Sequence, residues 1–290
     1  MSAVLEIRDL HLRFRGHSGV SEVLHGVSLD IRAGERVALV GESGSGKSVT
    51  ARIVLGLLQE LPYAEVSGGL FLEGADLNRL SRRQWQGLRG TSISMIFQDP
   101  TSSLNPVFTI GAQFAEVLRR RDPGLPRGAA DERAGALLRS VSIHDHARVL
   151  DAYPFQLSGG MNQRVVIAMA LANHPSLLIA DEPGTALDVT VQAQTLKLMH
   201  DLVERSGTAV LFISHNLGVV REFADRVFVI YRGRIVERGP TAAIFEAPGH
   251  AYTRALMAAV PRITGGGPPE PNDGETAFLD PMVVHEGGGA

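Results

Sequence analysis

The stretch Gly41-Glu42-Ser43-Gly44-Ser45-Gly46-Lys47-Ser48 fits G-x-x-x-x-G-K-[ST] and constrains the chain more than any other segment. It follows the apolar run Val37 to Val40, which reads as a strand, and precedes Val49 to Leu58, which reads as a helix. A strand, a glycine-rich turn and a helix N-terminus together form a phosphate site. The glycines let backbone N–H groups converge on an anion, and the helix dipole adds positive potential. The expected nucleotide contacts are Gly41, Ser43, Gly44, Ser45, Gly46, Lys47, Ser48 and Val49, which opens the helix. Lys47 is expected to reach the β- and γ-phosphates, and the Ser48 hydroxyl to ligate Mg²⁺. A random match arises in roughly one chain of this length in a hundred, so the strand and helix on either side strengthen the reading.

Composition removes several other chemistries. The 290 residues suffice for a full core in one large domain or two lobes. A formal net charge of −3 argues against a nucleic-acid binder driven by bulk electrostatics. No apolar run reaches the length of a membrane span, and Glu6, Arg8 and Asp9 interrupt the first apolar residues, unlike a signal peptide. With no cysteine there are no disulfides, thiolate nucleophiles or Cys-ligated metal centres. Only two lysines occur, Lys47 and Lys197, and one of them falls in the glycine-rich loop.

Along the chain, Val4 to Phe14, Val27 to Arg32, Arg36 to Val40, Gly69 to Glu73 and Ile93 to Phe97 read as strands. From Gln98 to about Gly160 the texture is helical, with Ile110 to Arg120 and Ala129 to Val141 as amphipathic helices. The α/β rhythm then returns: helix Met161 to Ala172, strand Leu177 to Ala180, helix Val189 to Glu204, strands Ala209 to Ser214 and Arg226 to Tyr231. Alternation of this kind implies a mostly parallel sheet with helices on both faces and a helical insertion in the middle third. Beyond Arg262 the Gly/Pro-rich composition predicts a disordered tail.

An ATPase built on this loop needs an acid on a second strand and a group that activates water. Leu177-Leu178-Ile179-Ala180-Asp181-Glu182 offers both: four apolar residues, then two carboxylates at the strand's C-terminal end, where open α/β sheets bind ligands. Asp181 is the expected Mg²⁺ ligand and Glu182 the general base.

Leu157-Ser158-Gly159-Gly160-Met161 resembles the LSGGQ signature of the nucleotide-binding subunits of ABC transporters. Gln98, in Ile96-Phe97-Gln98-Asp99-Pro100, is similar to that family's Q-loop, Ala186-Leu187-Asp188 to its D-loop, and His215 to its switch histidine. Phe14 stands where the family places an adenine-stacking aromatic. Taken alone, one aromatic on an early strand, as Phe14 is, is most often core, and a lone histidine at a strand end, as His215 is, is more often structural. His144 and His146 around Asp145 could suggest a metal site or a solvated helix turn.

The resemblance covers roughly residues 4 to 240. It implies an α/β P-loop NTPase of the ABC-ATPase fold: a RecA-like mixed sheet core, an antiparallel β subdomain and an inserted α-helical subdomain. The implied divisions are 1–98 and 161–240 for the core, 99–160 for the helical subdomain, 241–262 for a C-terminal extension and 263–290 for the tail. It also implies that two subunits sandwich two ATP molecules, with Ser158, Gly159 and Gly160 acting on ATP held by the partner. Gln98 would touch Mg²⁺ or the attacking water, Asp188 would border the nucleotide, and His215 would contact the γ-phosphate. Catalysis would then rest on Glu182, His215, Gln98 and Lys47, with Ser48, Gln98 and Asp181 on the metal.

Ile96 to Pro106, Met161, Ala180 to Thr190 and His250 to Pro261 resemble the dipeptide/oligopeptide/nickel importers. The implied partners are a second ATPase subunit, two membrane permease subunits and an extracytoplasmic solute-binding protein, with no nucleic acid. The implied place is the cytoplasmic face of the cell (inner) membrane, held peripherally. Peptide is the expected cargo, with nickel or another small solute as the alternative. Gly184 stands where that family usually has threonine, expected to loosen the turn. Asn216 stands where it usually has aspartate, and the family's cysteine-rich segment is absent. A soluble ABC ATPase acting on DNA or ribosomes fits less well, because the interval between loop and signature is short and holds neither heptads nor cysteines. An exporter ATPase would share the catalytic residues but not the His250 to Pro261 segment, and a non-enzymatic module would not need Glu182 and His215.

Overall fold

Strands in which every residue avoids water need both faces covered, and the sequence supplies several. The runs Leu177–Asp181 and Ala209–Ile213 are buried throughout, and Arg36–Val40 is buried from its second residue. The computed structural model describes residues 3–16, 19–184, 188–259 and 281–285. Its elements in the first half are β1 (Ala3–Gly16), β2 (Gly19–Arg32), β3 (Arg36–Val40), α1 (Lys47–Val54), β4 (Ala64–Leu72), β5 (Ala75–Asp76), α2 (Arg82–Leu88), β6 (Ile93–Ile96), α3 (Pro100–Ser103), α4 (Ile110–Arg119) and α5 (Arg127–Ser140). Then follow α6 (His146–Asp151), α7 (Gly159–Leu171), β7 (Leu177–Asp181), α8 (Val189–Ser206), β8 (Ala209–Ile213), α9 (Leu217–Phe223), β9 (Arg226–Tyr231), β10 (Arg234–Pro240), α10 (Thr241–Glu246), α11 (Ala251–Ala258) and β11 (Val283–Val284).

The described residues up to Asn78, with those from Leu211 onward, form one compact unit, here the terminal unit. Arg79 to Val210 forms the middle unit. In the terminal unit β2-β1-β4-β5 make an antiparallel sheet in that order. β1 pairs with β2 from Ala3↔Arg32 to Gly16↔Gly19, and with β4 from Leu5↔Leu72 to Phe14↔Ala64. Leu5, Ile7, Leu10 and Leu12 are buried, and the period of two slips between Ile7 and Leu10. Asp9 takes the left-handed conformation there, with φ 49°.

The unit's second sheet segment is mixed. β3 runs parallel to β9, β9 antiparallel to β10, and β10 parallel to β11. Arg226 at the start of β9 reaches back to both carboxylates of the β2–β3 region, Asp30 at 2.9 Å and Glu35 at 2.9 Å.

In the middle unit β6 and β7 pair in parallel, from Ile93↔Leu177 to Ile96↔Ala180. Ala115, Leu118, Leu125, Ala130 and Ala172 form an apolar cluster joining α4, α5 and the end of α7. Asn173 fastens that corner, donating through Nδ2 to the carbonyls of Gly90 and Val117 at 2.7 Å each.

The sequence reading holds for the buried strands and long helices, and three of its differences from the structure have a plain physical cause. β2 begins at Gly19 rather than Val27, because its first half is half-exposed hairpin whose order comes from pairing with β1. α2 was not expected, although Ser81 and Gln84 form a capping box that its sequence announces. The tail predicted to be disordered contributes β11: Val283 and Val284 pair with Glu237 and Arg238, and His285 Nε2 lies 2.6 Å from Glu237 Oε1. A buried carboxylate elsewhere in the fold supplies an order that local composition does not encode.

Candidate functional site

Gly46 ends the glycine-rich loop as the N-cap of α1, at φ 113°, a conformation L side chains resist. A Cβ there would lie 2.6 Å from Leu24 Cδ2, and one on Gly41 would lie 2.1 Å from the Ile230 carbonyl oxygen. The loop is therefore pressed between β2 on one side and the end of β9 on the other. Gly233, in the β9–β10 turn, donates its N–H to the Ser45 carbonyl at 2.9 Å. Gly44 meets open space, and Ser43 and Gly44 are exposed while Ser48 and Val49 are half-buried. Ser45 is buried, and its hydroxyl oxygen has no hydrogen-bond partner.

Lys47 is 6% exposed and turns back on its own loop, donating from Nζ to the carbonyls of Gly41 at 2.8 Å and Glu42 at 2.7 Å. Thr50 Oγ1 donates to the Gly46 carbonyl at 2.8 Å. The Glu42 N–H donates to the hydroxyl of Tyr252, on α11, at 2.9 Å. Burial pushes the Tyr252 phenol up to about 12, so it stays neutral through the ordinary pH range.

Phe14 is not core. It is half-buried, and its ring centroid lies 6.1 Å from that of Tyr63, which is half-exposed. His215 is exposed at the turn between β8 and α9. Asn216 caps α9, its Oδ1 accepting from the N–H groups of Gly218 at 3.1 Å and Val219 at 3.4 Å. Asparagine and aspartate cap helices about equally well, so this departure removes a charge without removing the cap.

In the middle unit β7 delivers Asp181 and Glu182 at its end. Asp181 is buried, and Glu182 is half-buried at φ 51°, a left-handed conformation uncommon outside glycine and frequent where function demands it. Gln98, which follows the neighbouring strand β6, donates from Nε2 to Glu182 Oε2 at 3.1 Å. Two residues singled out separately, 84 positions apart, thus meet.

Ser158 caps α7, its Oγ accepting from the Met161 N–H at 3.3 Å, and Ser158 and Gly159 are exposed. A Cβ on Gly160 would lie 2.9 Å from Val191 Cγ1. Asp188 is exposed and caps α8 through the Val191 N–H at 2.9 Å. Ala186 and Leu187, the rest of that motif, lie outside the described residues.

Gly184 is buried at φ 94°. A threonine, with a branched Cβ, is strained there, so the glycine sets this turn rather than merely loosening it. His146 is taken up by Arg139, whose guanidinium lies 3.0 Å from Nε2, and Asp145 pairs with Arg148 at 2.7 Å. Among the described residues no group of three or more His, Asp or Glu could hold a metal ion, and no helix is long and apolar enough to cross a membrane.

Two residues escaped the sequence reading. Tyr63 carries no motif, and the pairing of Phe14 with Ala64, with the Arg15 N–H donating to the Tyr63 carbonyl at 2.9 Å, brings it beside Phe14. Tyr252 lies in a segment noted for its resemblance, with nothing local to tie it to a loop 210 positions away.

The chain matches the ABC transporter family over residues 24–185, and the oligopeptide/dipeptide transporter C-terminal region over residues 236–277. It is 51% identical, over 89% of its length and 77% of the relative's, to a probable peptide ABC transporter ATP-binding protein of Sinorhizobium fredii. It is 46% identical, over 93% of its length and 75% of the relative's, to an oligopeptide transport ATP-binding protein of Bacillus subtilis. Among solved structures, a dimeric ATP-binding cassette in a post-hydrolysis state bound to ADP and Pi is similar at TM-score 0.71 and 27% identity, covering 82% of this chain and 98% of that one. The glycine-rich loop, the carboxylates at the end of β7 and the capped signature helix thus stand in a sequence and fold of one kind: the chain belongs to the ABC transporter ATP-binding proteins, an ATPase family, in the branch that carries the oligopeptide/dipeptide transporter C-terminal region.

Proposed function

We propose that the chain binds and hydrolyses ATP as the energising subunit of an importer of dipeptides or oligopeptides. The observation that carries the catalytic part is the Glu182 carboxylate at the end of β7, with the Gln98 amide 3.1 Å away. The peptide part is supported by relatives named for peptide, dipeptide and oligopeptide transport.

The loop N–H groups and the start of α1 receive the phosphates, and Lys47 exchanges its two loop carbonyls for phosphate oxygens. Glu182 accepts the proton of the attacking water, and Gln98 orients the carboxylate that does so. His215 contacts the γ-phosphate, Phe14 faces the adenine, and Asp188 borders the nucleotide. The Ser48 hydroxyl, the Asp181 carboxylate and the Gln98 amide oxygen, freed because its nitrogen faces Glu182, are hard oxygen donors of the kind Mg²⁺ takes. A bound Mg²⁺ supplies neutralisation of phosphate charge.

Ser158, Gly159 and Gly160 serve ATP held by a second subunit. Ser158 accepts its capping hydrogen bond through oxygen, which leaves the hydroxyl proton to be donated to a phosphate. We read 1–98 and 161–240 as the ATPase core, 99–160 as the helical subdomain and 241–262 as the extension. The middle unit exposes Phe97, Val107, Phe108, Tyr153 and Phe155, the last at 73%, an apolar display suited to a membrane subunit. The protein would then sit peripherally on the cytoplasmic face of the membrane, with a second ATPase subunit, two permeases and an extracytoplasmic solute-binding protein.

Purifying the complex from membranes should yield permease-type membrane chains and a bound peptide; recovery of the chain with neither overturns the importer reading. Ser158→Arg should abolish ATP-dependent pairing, measured by light scattering, while single-subunit ATP binding persists. Unchanged pairing removes the role assigned to Ser158 across the subunit boundary.

A further inference from the structure

The peptide plane joining Gly41 to Glu42 is gripped at both ends. Its carbonyl accepts from Lys47 Nζ at 2.8 Å, and its N–H donates to Tyr252 Oη at 2.9 Å. Turning that plane breaks both bonds at once. Lys47 must give up its grip to reach phosphate oxygens, and the Tyr252 hydroxyl then remains as a hold on the plane. On the far side of the loop, the Gly233 N–H holds the Ser45 carbonyl.

The hydroxyl is itself rigidly placed. Tyr252 is 1% exposed, and its ring centroid lies 4.3 Å from that of Tyr231 at the end of β9. The start of α11 is fastened to a fully buried carboxylate on β10. Glu237 accepts from the N–H groups of Gly249 at 2.7 Å and His250 at 3.1 Å, and pairs with His285 at 2.6 Å. His250 Nδ1 in turn accepts the Tyr252 N–H at 3.1 Å. Burial would raise the Glu237 pKa, but Thr253, His285 and the two backbone N–H groups outweigh it, so the group sits below the usual carboxylate range and stays charged at neutral pH.

We propose that Tyr252 is a positioning residue for the phosphate loop: from the C-terminal extension it fixes the Gly41–Glu42 peptide, so that Lys47 moves to the phosphates without the loop turning. This rests on the reading that the loop binds ATP. It gives the extension, matched as a transporter C-terminal region, a task in the nucleotide site of its own chain.

Tyr252→Phe keeps the ring against Tyr231 and deletes only the hydroxyl. The expected result is about fivefold weaker ATP binding and a matching rise in KM, with kcat within about twofold, the worth of one ordinary hydrogen bond. Hydrogen exchange at the Glu42 amide should quicken about tenfold in the variant, while the melting temperature shifts by no more than about 3 °C. Equal ATP affinity and equal Glu42 exchange in the two proteins overturn the proposal, as does a lowered melting temperature with unchanged ATP affinity. Should the variant fail to fold, the wild-type protein still decides: a protected Glu42 amide supports the assignment, and one exchanging like an open loop overturns it. Wild-type protein that binds no ATP sinks the underlying reading instead, so the two failures are told apart.

Discussion

Glu182→Gln is expected to bind ATP and to pair in its presence, yet to release phosphate about 10³-fold more slowly than the wild type. A positioned general base contributes about 10²–10⁴-fold, and Glu182 is the carboxylate proposed for that task, at the end of β7 with Gln98 3.1 Å away. The substitution preserves size and leaves an amide oxygen that can still accept from Gln98 Nε2. Local structure and ATP binding should therefore survive while proton acceptance is lost. The left-handed backbone at φ 51° tolerates the change, since neither side chain branches at Cβ. The measurement is phosphate release beside ATP affinity on the same preparation. Turnover within threefold of wild type would falsify Glu182 as the base.

The second large effect is structural. In Gly41→Ala the new methyl meets the Ile230 carbonyl oxygen at 2.1 Å and Ser45 Oγ at 2.9 Å. An alanine Cβ has no rotamer to escape by, and the Ile230 carbonyl belongs to the backbone and cannot swing aside as a side chain can, so the end of β3 or of β9 must move. Overpacking alone costs about 1–3 kcal/mol, and here the displaced peptide also carries the Lys47 and Tyr252 hydrogen bonds, which places the loss at about 3 kcal/mol or more. Chemical denaturation should show that loss, and ATP binding should disappear at concentrations that saturate the wild type. Gly44→Ala is the internal comparison. Its Cβ meets open space, so only the strain of φ 79° remains, about 1–2 kcal/mol. Equal losses in the two variants would show that the contact with Ile230 does not govern the loop.

Much of the geometry of the candidate site was readable because it is local. A glycine-rich turn before a helix works through backbone conformation and the free N–H groups of one helix start, and these depend on adjacent residues. The same holds for Asp181 and Glu182, announced by the apolar strand that carries them, and for Ser158, whose N-cap geometry follows from the helix it opens. Only family resemblance singles out Gln98 and His215, since a lone glutamine or histidine after a strand has no local signature. The 3.1 Å contact of Gln98 with Glu182 needs two parallel strands in register, Ile93↔Leu177 onward. Composition does not announce β11, because it reports what a segment can bury by itself, whereas Val283 and Val284 gain order from the edge of β10.

The sequence by itself determined the glycine-rich loop, the buried strands and the capped helices, because turn chemistry, hydrophobic period and capping act over a few residues. Tertiary structure alone decided what presses on that loop: Leu24 and Ile230 against its glycines, Gly233 on Ser45, and Tyr252 on Glu42. Hydrogen bonds and close contacts between distant segments depend on where strands and helices come to rest, and no local pattern encodes a contact across 210 residues.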